Sequence, residues 1–228
     1  MRKMSIKLLN MDNLDFDMEQ LADVIFADCI YESRDLRWVT KYWTHLKDNG
    51  IFITMTDFHT VHLHRYWMEE TLQMKLINHV VWKNEFGNFP KDRFHQCHDD
   101  VLIYCKGDKW KFYSDRIQVP KATANTKLNP SGRMTKTATS WIGDCTLTTT
   151  SKERVKKDDG HLIRWQKPMS LMNRILLPFT DEGDLIIDPF SGSGTTPLWA
   201  AENNRHCVGI EYDKEVYEMS KVRLAKYL

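Results

Sequence analysis

Apolar positions along the chain fall into two patterns. Short continuous runs at 22–26 (ADVIF), 51–55, 78–82 and 101–105, and again at 184–188 (DLIID) and 206–211, predict buried strands. Between them, apolar residues recur at helical spacing. Residues 36–46 place Val39, Tyr42, Trp43 and Leu46 on one side, and Asn49-Gly50 reads as the stop of that helix. Further helices are predicted over 59–75, 168–177, 195–203 and 214–227. Strands alternating with helices predict an α/β fold, Rossmann-like, with a mostly parallel sheet and helices on both faces. No internal repeat interrupts this order.

The middle of the chain breaks the pattern. Residues 106–160 are polar and rich in Thr, Lys and Asp, with Pro120 and Pro130. A stretch this long without periodicity is typical of a functional insertion. The expected organisation is therefore one domain made of 1–105 and 161–228, interrupted by a basic insertion at 106–160. With 228 residues, 42% of them apolar, the chain can bury one sizeable core. The net charge is only +1, so any affinity for nucleic acid must come from local concentration of cations. Between Cys105 and Lys157 the chain provides it: Lys106, Lys109, Lys111, Arg116, Lys121, Lys127, Arg133, Lys136, Lys152, Arg154, Lys156 and Lys157 face only Asp108, Asp115, Asp144 and Glu153. A solvated surface segment would carry the same charges.

Other features narrow the class. Cys29, Cys97, Cys105, Cys145 and Cys207 are odd in number and scattered, which argues against a disulfide framework or zinc ribbon and for a reducing compartment. No apolar run approaches a membrane span, and residues 1–10 lack a signal-peptide core, so the expectation is a cytoplasmic protein with no membrane partner. His59, His62 and His64, or His95, Cys97 and His98, match no standard zinc spacing, and no metal is expected. Trp38, Trp43, Trp67 and Trp82 read as core. Trp110, Trp141 and Trp165 are better placed to touch nucleic acid.

The sharpest local signal is Asp188-Pro189-Phe190-Ser191-Gly192-Ser193-Gly194-Thr195-Thr196, which follows an apolar strand and opens a helix. Gly192 and Gly194 permit a tight turn and close ligand approach. Thr195 and Thr196 sit where a helix N-terminus presents free N–H groups. Pro197 breaks the dinucleotide fingerprint G-x-G-x-x-G, which makes a nicotinamide oxidoreductase a poor match. Glu211 ends the next strand, where an acid can accept hydrogen bonds from ribose hydroxyls, with Asp213 behind it. The bland alternative is a glycine turn beside a surface acid.

These motifs, DPFSGSGTT with GIEYD downstream, resemble the cofactor-binding motifs of amino-group DNA methyltransferases. The preceding Gln166-Lys167-Pro168 and its helix resemble the segment that helps hold the methionine end of the cofactor. The resemblance implies S-adenosylmethionine as cofactor. It places Phe190 and Gly192 beside the cofactor, Glu211 on its ribose, and Asp12 near its adenine. It also implies the permuted (beta-class) order, with the catalytic motif before the cofactor motif. That motif is usually Asp-Pro-Pro-Tyr after a buried strand. Here the matching place reads Asp28-Cys29-Ile30-Tyr31, which lacks both prolines. Residues 38–55, 80–84 and 98–107 resemble the elements that follow, the last two shaping a base pocket.

The chemistry gives each catalytic position a task. An aromatic amine is a weak nucleophile because its lone pair is delocalised. The Asp28 carboxylate and the Cys29 main-chain oxygen can each accept one of its N–H bonds and aim the lone pair. Tyr31 would stack on a base flipped from the duplex. Prolines would stiffen this loop by fixing φ, so their loss lowers its preorganisation and leaves an inactive DNA-binding relative as one reading. Glu32 has no assigned role. Cys29 as a cytosine C5 nucleophile is disfavoured, because such a nucleophile follows a proline and its cofactor motif comes first. Asp at position 28 leans toward adenine N6, with cytosine N4 and RNA adenine as alternatives. The partner implied is DNA. Family analogy alone adds a homodimer, a partner restriction enzyme and, for a bacterial or viral source, a nucleoid-associated location.

Overall fold

The computed structural model describes residues 5–31, 33–84, 90–148, 150–156, 160–163 and 165–228; Glu32 and Lys157 lie outside them. In chain order the elements are β1 (Ile6–Asn10), β2 (Ala22–Asp28), α1 (Arg37–Thr44), β3 (Leu46–Thr56), α2 (Val61–Arg65), β4 (Lys75–Lys83) and β5 (His98–Cys105). There follow β6 (Gln118–Pro120), β7 (Thr135–Thr137), β8 (Trp141–Ile142), α3 (Met169–Leu176), β9 (Leu185–Asp188), α4 (Thr195–Glu202), β10 (His206–Glu211) and α5 (Lys214–Leu224). Eight strands form one sheet in the order β1-β10-β9-β2-β3-β5-β4-β8. The pairs from β1 through β3 are parallel, β5 is antiparallel to both β3 and β4, and β8 joins β4 in parallel.

Burial on both faces explains the continuous apolar runs. Val24 and Phe26 of β2 point into one core layer with Leu171 and Ile175 of α3, Trp199 of α4 and Leu224 of α5. Ile25 and Ala27 point into the other, against Trp38, Val39 and Tyr42 of α1 and Met68. The helix predicted over 59–75 is shorter: α2 passes at Tyr66–Thr71 into a wider π-helical turn that buries Met68.

Two features depart from the expected pattern. α1 ends at Thr44, and Asn49-Gly50 lies inside β3 rather than at the helix stop. The register jumps there, from Ala22↔Leu46 to Val24↔Ile51. The Asn49 N–H (φ 60°) donates to the Lys106 carbonyl at 2.6 Å, and the Lys106 N–H donates back to Gly50 at 3.0 Å. The Lys106 ammonium donates to the carbonyls of Trp43 (3.0 Å) and Leu46 (2.8 Å), so a cation closes the end of α1 in place of a glycine cap. The strand β1 was not predicted. As an edge strand it is only half buried, and IKLLN shows no continuous apolar run.

The described residues of 106–160 are more ordered than their composition suggests. The first part returns to the domain: Phe112 packs on Phe179, the Tyr113 hydroxyl donates to Asp181 at 2.8 Å, and Arg116 pairs with Asp181 at 3.1 Å. The antiparallel pair β6–β7 then carries the chain away, and β8 brings it back to bury Ile142, Cys145 and Leu147.

Candidate active site

The sheet reverses its winding between β9 and β2. From β2 the chain adds β3 on one side, and from β9 it adds β10 on the other. In doubly wound sheets the crevice beyond the strand ends at such a switch point is the ligand site. Here the two strands end in Asp28 and Asp188. Both line a cleft of about 1490 Å³, together with Asp12, Cys29, Tyr31, Gln166, Lys167, Phe190, Gly192, Thr195 and Glu211.

On the β9–β10 side, the glycine turn is built as its residues require. Gly192 and Gly194 have φ of 50° and 76°, and a Cβ on Gly194 would meet Leu224 and Ser220 of α5 at 3.0–3.1 Å. Gly209 of β10 allows a further close approach, since a Cβ there would lie 2.8 Å from Pro197 of α4. The Glu211 carboxylate spans the turn, accepting the N–H of Gly192 on Oε2 and that of Asp213 on Oε1, both at 2.8 Å. Burial raises its pKa above the usual glutamate value. Asp188 lies beneath the turn and accepts the Phe190 N–H at 3.0 Å. Burial pushes its carboxyl up to about 7, against hydrogen bonds from Thr196 and Phe190. Two polar atoms lining the cleft, Ser191 Oγ and Asn13 Oδ1, are buried without a hydrogen-bond partner.

On the β2 side, Asp28 pairs through Oδ2 with the Lys167 ammonium at 2.7 Å. The Tyr31 hydroxyl donates to Asp99 of β5 at 2.9 Å and lies 3.4 Å from Asp28 Oδ1. Burial pushes Asp99 up to about 6, opposed by the Lys167 charge and the Tyr31 hydrogen bond. The Cys29 thiol donates to the Met55 carbonyl at 3.2 Å, and burial pushes it up to about 12. A thiol so placed is a loop tether with negligible thiolate at neutral pH. Trp82, Asn84, Gln96, His98 and Asp99, from β4, β5 and the segment before β5, line the same end of the cleft.

Comparison with known proteins agrees with this geometry. A family model for N6/N4 methyltransferases, described as DNA methylase, matches residues 29–222. The chain belongs to the amino-group DNA methylases. Curated relatives of the chain include the Type II methyltransferase M.HpaI of Haemophilus parainfluenzae, 30% identical over 82% of this chain and 57% of the relative. Another is the Type II methyltransferase M.BglII of Bacillus subtilis, 26% identical over 78% and 48%. The chain thus spans about half the length of the curated relatives it matches. Among solved structures, the M1.HpyAVI–SAM complex superposes with a TM-score of 0.69 at 22% identity, covering 96% of this chain and 100% of that one. The cytosine-N4-specific PvuII DNA methyltransferase gives 0.69 at 14% identity, over 96% and 86%. These likenesses show the fold: a Rossmann-like methyltransferase sheet, mostly parallel, with helices on both faces.

Within this methylase cleft, most of the residues singled out in the sequence lie together, but not all. Pro168, Gly194 and Asp213 fall outside its lining. The Asp213 carboxylate instead caps α5, accepting the N–H groups of Glu215 (2.8 Å) and Val216 (3.1 Å). Gln166 lines the cleft, but its amide is bound to Glu153 and Val155. Asp99, Asn13 and Ser191 were not singled out as site residues. For Asp99 a signal existed: adjacent acids opening an otherwise apolar strand. Among the described residues, no group of three or more His, Cys, Asp or Glu is arranged to hold a metal, and no helix is long and apolar enough to cross a membrane.

Proposed function

We propose that this chain transfers a methyl group from S-adenosylmethionine to an exocyclic amino group of a DNA base, with adenine N6 as the first assignment. The observation that carries the reading is the convergence of the Asp28–Tyr31 loop and the Gly192 turn on one cleft.

The cleft suits the cofactor. Each Glu211 oxygen already accepts one backbone N–H and retains a lone pair for a ribose hydroxyl. The unpartnered Ser191 Oγ and Asn13 Oδ1 offer further polar contacts, beside Phe190 and near Asp12. Bound there, the cofactor supplies an electrophilic methyl. The chain's own residues do the rest. Asp28 and the Cys29 carbonyl accept the amine N–H bonds, Tyr31 stacks on the everted base, and Asp99 fixes the Tyr31 hydroxyl. Incubating the protein with unmethylated genomic DNA or RNA and methyl-labelled S-adenosylmethionine, then analysing nucleosides, tests this. N6-methyldeoxyadenosine is the expected product. N4-methylcytosine would move the assignment to the second reading, the specificity of the PvuII enzyme whose fold this chain shares. No labelled nucleoside would remove the enzymatic reading.

We assign DNA contact to the insertion, and within it to the β6–β7 excursion. Lys106, Lys111, Arg116 and Arg154 are engaged in hydrogen bonds or ion pairs with the domain, Arg154 through the Ile163 carbonyl. Lys127, Arg133 and Lys136 stand exposed around the hairpin. Replacing these three by Gln should weaken DNA binding and flatten log K against log salt by about 0.9 per lost phosphate contact. Titration of labelled duplex at several salt concentrations measures both, and an unchanged slope would place the DNA elsewhere. The Type II relatives suggest a partner restriction enzyme, and a DNA substrate implies a cytoplasmic site of action.

A further inference from the structure

We propose that the Lys167 ammonium is a placeholder for the target base: it fills the base slot of the DNA-free protein and withdraws when a base enters. The inference rests on the methyl-transfer reading of the cleft. A target base would offer this slot an N–H donor for Asp28 and a face for Tyr31. Lys167 already supplies a counterpart to each. Its ammonium lies 2.7 Å from Asp28 Oδ2 and 5.1 Å from the centre of the Tyr31 ring, with the Trp82 ring 5.9 Å away. A cation over an aromatic face is an attractive contact, and a donor on a carboxylate satisfies it. An everted base cannot take the same places while the ammonium occupies them.

Burial explains why something must sit there. Asp28 and Asp99 face the same space, and neither carboxylate is well hydrated, with 17% of the Asp28 side chain and 8% of Asp99 exposed. An empty slot would leave like charges unpaired in a partly dry site, which is costly. The Lys167 ammonium offsets that cost until substrate arrives. Its pivot is fixed: Thr195 donates to its carbonyl at 3.4 Å, and the amide of the preceding Gln166 is held by Glu153 and Val155. Only the four-carbon stem needs to move. A second acceptor lies toward the rim, the Trp165 carbonyl at 3.4 Å, on a residue that is 69% exposed.

Two substitutions of opposite direction test the placeholder. Lys167→Met deletes the competing occupant, and KM for unmethylated DNA should fall about fivefold, as expected when a competing state no longer holds the site. Lys167→Arg installs a planar cation that can bind Asp28 through two N–H groups and stack on Tyr31, so KM for DNA should rise. In duplexes carrying 2-aminopurine at the methylated position, Lys167→Met should raise the emission of the everted base without cofactor, and Lys167→Arg should lower it. If both variants raise KM for DNA, or if Lys167→Met raises it and Lys167→Arg preserves it, Lys167 is a structural or substrate-holding cation and the proposal fails. Should Lys167→Met not fold, the direction of Lys167→Arg decides alone. A wild-type protein that methylates no DNA would instead count against the functional reading itself.

Discussion

Asp28→Asn should lower the rate of methyl transfer about 10²–10³-fold, the usual cost of removing one preorganised electrostatic partner of a transition state. As the nitrogen is alkylated its N–H bonds become more acidic, and a carboxylate in a water-poor cleft stabilises the growing positive charge more than a neutral amide does. The amide keeps the size of the side chain and an oxygen for Lys167, so this variant separates charge from shape. Asp28→Ala is less clean. It leaves the Lys167 ammonium buried beside an empty position, and breaking such a pair by deleting one partner costs about 3–5 kcal/mol of stability. The double variant Asp28→Ala/Lys167→Met removes both charges and should recover part of that loss. Cofactor affinity should hold in Asp28→Asn and Asp28→Ala, because the ribose contact assigned to Glu211 lies on the other side of the cleft. Single-turnover transfer, calorimetric cofactor binding and thermal melting separate these effects. Asp28→Asn methylating at the wild-type rate would reduce Asp28 to a counter-ion of Lys167.

The turn at 188–196 could be read from the chain because its physics is local. The end of an apolar strand, two glycines at positive φ and a helix start occupy nine consecutive residues. Strands buried on both faces announce themselves equally well, as ADVIF and DLIID do. What could not be read depends on partners distant in sequence. Lys167 meets Asp28, and Tyr31 meets Asp99, across 139 and 68 positions. No spacing rule reveals such pairs. The half-buried edge strand β1 has no run to detect, and the end of α1 is decided by Lys106, far along the chain. Asp213 is a different case. Its position just before a helix is an N-cap signal, and the capping geometry competes with a ligand role for the same carboxylate. Cys29 and Ile30 stand where the resemblance expects prolines. Part of the lost stiffness is offset by tethers from other strands, the Cys29 thiol on Met55 and the Tyr31 hydroxyl on Asp99.

Glu211→Ala should weaken cofactor binding about 100-fold, and wild-type binding should itself weaken as the pH falls. Hydrogen bonds to a charged acceptor contribute about 1.5–3 kcal/mol each, so losing two ribose contacts can account for a change of that size. The same substitution strips the partner from the N–H groups of Gly192 and Asp213, which loosens the turn that carries Phe190 and Gly192. The pH dependence follows from burial. Glu211 has a pKa raised above that of free glutamate, so on acidification it takes up its proton earlier than an exposed glutamate would. The protonated acid loses acceptor capacity toward a ribose diol, so affinity is complete above the raised pKa and declines as pH falls through it. A bound diol favours the ionised form, so binding should release protons at acidic pH. Glu211→Gln imitates the neutral acid and should bind weakly with little pH dependence. Calorimetric titration of S-adenosylmethionine into wild type and both variants, in buffers of different ionisation enthalpy, reads affinity and proton release together. Wild-type binding that is flat with pH, or a Glu211→Ala protein that binds normally, would show that the carboxylate only braces the turn and that the ribose is held by other groups.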